Sequence, residues 1–205
     1  MTLKIYGVAA SRAFRPLWAA EELGLDYAHI PVHYQDAAIK QAPYLALNPN
    51  GTVPAIDDDG LVLFESLAIT LHLARTRPDG GLWSSDSDGQ SLIVQWTLWA
   101  ATEAEPPARQ WFHHTSFLPP EQRRPELAEA ALAQLRKRLR VLDEQVRDQA
   151  WLLAGGFSVA DLNVAAVLQR LPQIGGTDFP HALAWHHRCM ARPAAQRAMA
   201  LRQTP

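Results

Sequence analysis

Up to about Arg77 the chain alternates between short apolar runs and stretches of helical spacing. Leu3 to Tyr6 is a strand-length run ending at Gly7. Phe14 to Leu23 carries Leu17, Ala20 and Leu23 at three-residue intervals and stops at Gly24, which predicts a helix with a glycine just past its last turn. Tyr27 to Val32 sets Ala28, Ile30 and Val32 on alternate positions, a second strand. Asp36 to Leu47 predicts a short or irregular helix closed by the turn Asn48-Pro49-Asn50-Gly51. Val53 to Ile56 and Leu61 to Phe64 predict two more strands, joined as a hairpin through Asp57-Asp58-Asp59-Gly60. Ser66 to Arg75, with Leu67, Ile69, Leu71 and Leu73, predicts an amphipathic helix. The order is strand, helix, strand, helix, strand, strand, helix. Its first three elements require a crossover and a parallel pair, and the hairpin adds antiparallel strands.

Residues 78–90, rich in Pro, Gly, Ser and Asp, read as a linker. Beyond them the pattern is helical throughout. Long periodic stretches run from Leu92 to His113 and from Glu126 to Gln149, separated by Phe117-Leu118-Pro119-Pro120. Val159 to Leu171, His181 to Met190 and a tail helix from Ala194 follow. The chain therefore divides into an α/β domain over 1–77, a linker over 78–90 and an all-helical domain over 91–205.

Composition narrows the function classes. Of 205 residues 48% are hydrophobic and 20% charged, enough apolar material to bury a sizeable core. Nineteen basic against 21 acidic residues, a net charge of -2, argue against a nucleic-acid or anionic-membrane partner. The arginine-rich runs near 121–126 and 135–140 read as solvated helix faces, because residues 78–205 hold 13 basic and 13 acidic side chains. A lone cysteine, Cys189, excludes a disulfide framework, a cysteine-based zinc site and a Cys-x-x-Cys redox pair. No apolar run approaches the ~18 residues of a membrane span. The first residues read as a strand and not as a signal peptide, so the expected setting is a reducing cytoplasm.

Three segments carry candidate chemistry. Gly7 to Arg15 is a small-residue loop that delivers Ser11 toward a helix start, where a hydroxyl either caps the helix or meets a ligand at the positive end of its dipole. Asn48-Pro49-Asn50-Gly51-Thr52-Val53-Pro54-Ala55 places a proline at a strand opening. A cis Val53-Pro54 bond there would leave the Val53 N–H and C=O free to pair with a peptide-like ligand, and an ordinary trans turn is the alternative. In Leu63-Phe64-Glu65-Ser66-Leu67, Ser66 and the following helix terminus suit a carboxylate and Glu65 an ammonium, a receptor for a zwitterion. Read singly, each is also an ordinary cap beside an exposed acid. All three lie at strand ends or helix starts, where open α/β sheets bind ligands.

With Asn-Pro-x-Gly-x-Val-Pro, Glu-Ser ahead of a helix, and Phe157-Ser158-Val159-Ala160-Asp161 as a helix-capping signature, the chain resembles the cytosolic glutathione transferases over nearly its whole length, most closely the bacterial, serine-type, theta-like members. The resemblance implies a thioredoxin-like N-terminal domain (βαβαββα) and a helical domain that contributes the electrophile pocket. It implies a detoxifying homodimer that conjugates glutathione, as co-substrate, to a small hydrophobic electrophile without a metal. Ser11 becomes the catalytic hydroxyl, with Arg15 fitting the same pattern, and Tyr6 at the end of strand one is the rival from tyrosine-type members. Val53, beside Pro54, would pair with the cysteinyl backbone, Glu65 with the γ-glutamyl amino group and Ser66 with its carboxylate. Thr52 stands where relatives often carry glutamine or lysine, so Lys40 or Asn50 shares the glycine carboxylate. Glutathione-dependent disulfide or peroxide reduction and a non-catalytic binding module are the alternatives within the same architecture. Trp96, Trp99 and Thr102 share a helical stripe, which reads first as packing.

Overall fold

Leu3 and Ile5 are buried while Lys4 and Tyr6 are half-buried, the two-residue alternation of a strand with one face on a core. In the computed structural model, which describes residues 3–202, this segment is β1 (Leu3–Tyr6), and it runs beside both a parallel and an antiparallel neighbour. β2 (Tyr27–Ile30) pairs with it in parallel after the helix α1 (Phe14–Glu22). A 3-10 turn at Ala37–Lys40 and the short helix α2 (Ala42–Leu45) lead to the hairpin strands β3 (Ala55–Asp58) and β4 (Leu61–Phe64), then to α3 (Ser66–Thr76). The sheet order is β2-β1-β3-β4, the mixed βαβαββα layer expected.

The hairpin differs from the sequence reading by a shift of register. Asp57 and Asp58 lie within β3, opposite Val62 and Leu61, and the turn contracts to Asp59-Gly60 with φ of 52° and 92°. Two left-handed residues match the strand twist, and Asp-Gly is the pair that adopts them at least cost. β3 also starts two residues later than predicted, because Pro54 has no N–H to give a ladder.

Contacts group the described residues up to Ser85 with those from Ala191 onward, and Asp86–Met190 form a second unit. The sequence reading assigned the tail to the helical domain. The tail instead packs on α1: in α9 (Pro193–Ala200) and just before it, Arg197 and Arg192 reach back to the end of that helix. Arg192 donates from Nε and Nη2 to the two carboxylate oxygens of Glu22, both at 2.7 Å, and Trp18 Nε1 adds a third donor at 2.9 Å. Arg197 Nε donates to Glu21 at 2.6 Å, and the Tyr27 hydroxyl donates to the same carboxylate. With α3 also packed against it, α1 buries seven successive residues from Phe14 to Ala20 and has no fully solvated face along that stretch.

The second unit holds α4 (Ser87–Trp99), α5 (Glu105–Phe112), α6 (Pro125–Gln145), α7 (Val159–Val167) and α8 (Pro180–Met190). The stretch expected as one helix from Leu92 to His113 is interrupted by a π-helical turn at Ala100–Ala104 and continues as another at His113–Phe117. Pro106 and Pro107, in the first turn of α5, cannot donate to the carbonyls four residues back, so the ladder breaks just ahead of them. The predicted Glu126–Gln149 helix ends at Gln145, and Val159–Leu171 ends at Val167. In α6 the buried positions Ala128, Ala131, Leu135, Leu139 and Leu142 form one stripe.

The core of this unit is organised by Asp161. Ser158 caps α7, its Oγ accepting from the Ala160 N–H, while Asp161 reaches back to the Ser158 N–H at 3.0 Å. The other Asp161 oxygen accepts from the Leu152 N–H and from Trp185 Nε1, both at 2.8 Å. Burial pushes this carboxyl up from the usual carboxylate range, and the Trp185, Leu152 and Ser158 donors oppose that shift. The capping signature is a folding element, as its sequence suggests.

Candidate functional site

Strand register gathers the three candidate segments. Tyr6, the last residue of β1, lies opposite Ala55, the first of β3, and Ala55 lies opposite Phe64, the last of β4. The loop after β1, the Val53-Pro54 turn before β3 and the Glu65-Ser66 corner after β4 therefore share one end of the sheet. Gly7 is where they come closest. Its φ is +128°, and a Cβ there would stand 2.9 Å from Ala13 Cβ and 3.0 Å from Val53 Cβ, so only glycine lets the loop lie against the turn.

Ser11 lies three residues ahead of the first residue of α1, not at its cap. The cap is Ala13, which brings no side chain to the helix end. The Ser11 hydroxyl donates to the Val8 carbonyl at 2.7 Å and accepts from the Ala13 N–H at 3.1 Å. It is half-buried at the rim of the loop, with its proton already engaged. Tyr6 is half-buried too, its ring edge-on to Tyr44 with centroids 6.4 Å apart.

The Val53-Pro54 peptide bond is cis. Among the described residues the Val53 N–H and C=O have no backbone partner. The Thr52 carbonyl just before them is held by two donors, the Tyr44 hydroxyl at 2.8 Å and Asn48 Nδ2 at 2.7 Å. Burial, with Tyr6 nearby, pushes the Tyr44 hydroxyl up to about 12, so it remains a donor across the neutral range. Asn48 is almost fully buried and also accepts from the Asn50 backbone through Oδ1. These two bracing residues were missed in the sequence. Asn48 opens the Asn-Pro-x-Gly-x-Val-Pro turn in the sequence, with nothing there to mark it as a brace. Thr52 and Asn50 are exposed on the same loop, and Lys40 Nζ donates to the Gly51 carbonyl at 2.8 Å. The three candidates for a glycine carboxylate thus cluster, with the lysine drawn onto the backbone.

Glu65 is exposed and takes a left-handed φ of 69°, which turns the chain sharply from β4 into α3. As the residue before the helix it gives no side-chain cap, and the N–H groups of Ser66, Leu67 and Ala68 have no acceptor among the described residues. Ser66 is buried, and its Oγ accepts from Arg15 Nη1 at 2.9 Å. The end of the sheet therefore offers an extended pair of backbone groups, an exposed carboxylate, an uncapped helix N-terminus with a hydroxyl, and a second hydroxyl on the neighbouring loop. That set complements a short peptide bearing an ammonium, a carboxylate and a polarisable group. Among the described residues no group of three or more His, Cys, Asp or Glu side chains is placed to hold a metal ion.

In the second unit, Trp96 is buried edge-on to Trp99, with centroids 5.2 Å apart, and Thr97 accepts from Asn163, which supports the packing role read for this stripe. Thr102 bonds the Leu98 carbonyl of its own helix, and Glu103 pairs with Arg138 at 2.7 Å.

Comparison with known proteins extends the same pattern. The profile of the glutathione S-transferase N-terminal domain matches residues 1–75, and that of the C-terminal domain matches residues 107–193. A glutathione S-transferase of Hyoscyamus muticus is 31% identical, over 99% of this chain and 100% of its own. Glutathione S-transferase 4 of Zea mays is 30% identical, over 95% of this chain and 91% of its own. The crystal structure of the theta class glutathione S-transferase from Xanthomonas axonopodis pv. citri, with glutathione bound, superposes with a TM-score of 0.89 at 31% identity, covering 96% of each chain.

Proposed function

This chain belongs to the glutathione S-transferase family, and on that premise we propose that it joins the thiolate of glutathione to small hydrophobic electrophiles, with Ser11 as the hydroxyl that holds the sulfur as an anion. The protein is a glutathione transferase, with glutathione as co-substrate. The observation that carries the site reading is the meeting of three loops at one end of the sheet, two of them with unfilled backbone groups and the third bearing the Ser11 hydroxyl. In this reading Val53 pairs its N–H and C=O with the cysteinyl residue. Glu65 takes the γ-glutamyl ammonium, and Ser66 with the first N–H groups of α3 takes its carboxylate. Lys40, Asn50 and Thr52 receive the glycine carboxylate.

The chemistry follows from the thiol's acidity. A free thiol near pKa ~8.5 is only a few per cent thiolate at neutral pH, and the thiolate is the nucleophile. A hydroxyl donating to a charged sulfur contributes about 1.5–3 kcal/mol, but Ser11 must first release the Val8 carbonyl, at a cost of about 0.5–1.5 kcal/mol. The positive end of α1 adds about 0.3–1 kcal/mol. Taken at their midpoints these leave about 2 kcal/mol, or roughly one and a half pKa units, which brings the bound thiol close to neutrality. Ser11 acts as a donor and forms no covalent bond. The thiolate attacks the electrophilic carbon, the leaving group departs with the bonding pair, and the thioether is released.

The exposed apolar side chains of Leu61, Val62 and Phe64 on the edge strand β4 support a homodimer, and one buried cysteine suits a reducing cytoplasm. Among the described residues no helix is long and apolar enough to cross a membrane.

Conjugation of glutathione to a generic aryl halide tests the assignment. Ser11→Ala is expected to lower kcat roughly tenfold at neutral pH, and to raise the pKa of the bound thiol, read from thiolate ultraviolet absorbance, by about one unit. Unchanged turnover in Ser11→Ala, with turnover abolished in Tyr6→Phe, would move the role to Tyr6.

A further inference from the structure

The side chain of Arg15, in the first turn of α1, is a guanidinium held inside the protein with only 5% of the residue exposed. It donates to Ser66 Oγ at 2.9 Å, linking the start of α1 to the start of α3 across 51 residues of sequence. The direction of that bond is fixed by chemistry. A guanidinium carries donors and no acceptor, so the Ser66 oxygen can only accept. A hydroxyl has a single proton, and with Arg15 on one lone pair that proton must face elsewhere. Among the described residues it meets no acceptor. The Ser11 hydroxyl is set the other way, its proton committed to the Val8 carbonyl.

We propose that Arg15 is a positioning residue that never touches the ligand: by occupying the Ser66 oxygen as an acceptor, it turns the Ser66 proton toward the γ-glutamyl carboxylate. The inference rests on the glutathione reading of the site and names a further residue that sets its specificity. Without Arg15 the Ser66 hydroxyl is free to rotate. Its proton can then point away from the ligand and leave a lone pair facing the incoming anion. With Arg15 in place, the hydroxyl proton and the unfilled N–H groups of Ser66, Leu67 and Ala68 form one donor set.

The test compares glutathione with its analogue lacking the γ-glutamyl α-carboxylate, 4-aminobutanoyl-cysteinylglycine, by calorimetry and by steady-state conjugation. The wild-type protein is expected to prefer glutathione by at least tenfold. Arg15→Met is expected to weaken glutathione about tenfold, chiefly in KM rather than kcat, and to leave the analogue's affinity within twofold. Ser66→Ala combined with Arg15→Met should be no worse than Ser66→Ala alone, because one acts through the other. Arg15→Lys, also a donor without an acceptor, should restore most of the preference, and it serves as the test if Arg15→Met does not fold. Equal weakening of both ligands by Arg15→Met, full additivity with Ser66→Ala, or no rescue by lysine would overturn the role of Arg15 and leave the carboxylate assignment standing. A wild-type protein that binds both ligands alike would overturn that assignment, and the proposal with it.

Discussion

Replacing Asp161 by alanine removes the acceptor of four hydrogen bonds in a position with no measurable exposure. The Ser158 hydroxyl can turn to another partner. The N–H groups of Leu152 and Ser158 and the indole N–H of Trp185 cannot, because backbone and ring hold them in place. A buried donor left unpaired costs about 1–3 kcal/mol, so three of them, with some relaxation and water entry, cost about 4 kcal/mol. Asp161→Asn keeps one acceptor oxygen but turns an amide N–H toward donors, and about 2 kcal/mol is expected. For a chain of this size a loss of about 4 kcal/mol lowers the melting temperature by roughly 8–16 °C. Chemical denaturation followed by circular dichroism would measure both variants. A loss below about 1 kcal/mol for Asp161→Ala would refute the reasoning, since an ordinary surface change does about as much.

Two further outcomes follow from other buried polar groups. His186 is 2% exposed, and among the described residues neither ring nitrogen has a hydrogen-bond partner. The Ala165 backbone lies near enough to favour the charged ring slightly, yet burial dominates and, with His187 beside it, pushes the pKa down to about 4. The unfolded chain takes up that proton near pH 6.5, so stability is full above this value and is lost as pH falls toward 4, by up to about 3 kcal/mol. His186→Leu should flatten that part of a stability-against-pH curve, and an unchanged slope between pH 6.5 and 4 would refute the assignment. Arg192→Ala should destabilise the first unit by about 2 kcal/mol, because it removes both donors of a charge-assisted pair from a Glu22 side chain only 6% exposed. A melting temperature identical to the wild type would refute that.

What was legible in the sequence is what the backbone demands locally. The Asn48–Ala55 turn, the Glu65-Ser66 corner and the Ser158–Asp161 box each answer a constraint within a few residues, and each stands where the sequence puts it. The three sheet-end segments could be grouped because strand order and polarity follow from crossover and hairpin rules. What stayed hidden depends on distant partners. Ser11 reads as a helix cap, yet its proton goes back to Val8 and the helix starts later at Phe14. Arg15 reads in the sequence as part of the same pattern as Ser11, but its partner, Ser66, lies 51 residues on and appears only in the fold. Asn48 looks like a turn residue, and only the fold turns its amide onto the Thr52 carbonyl. The break near Ala100 was in principle readable from Pro106 and Pro107, whose missing N–H groups sever the ladder even where apolar spacing continues.

The arginines of the tail that grip α1 carry a timing consequence. Arg192 and Glu22 are separated by 170 residues, so at ribosomal speeds of roughly 5–20 residues per second the clamp is synthesised about 10–30 seconds after the helix it fastens. During that interval a nascent α1 would show its uncovered flank, with Trp18 and Phe14, to whatever surrounds the ribosome. A chaperone that shields aromatic surface would find its opening there, and would lose it when the last helix emerges.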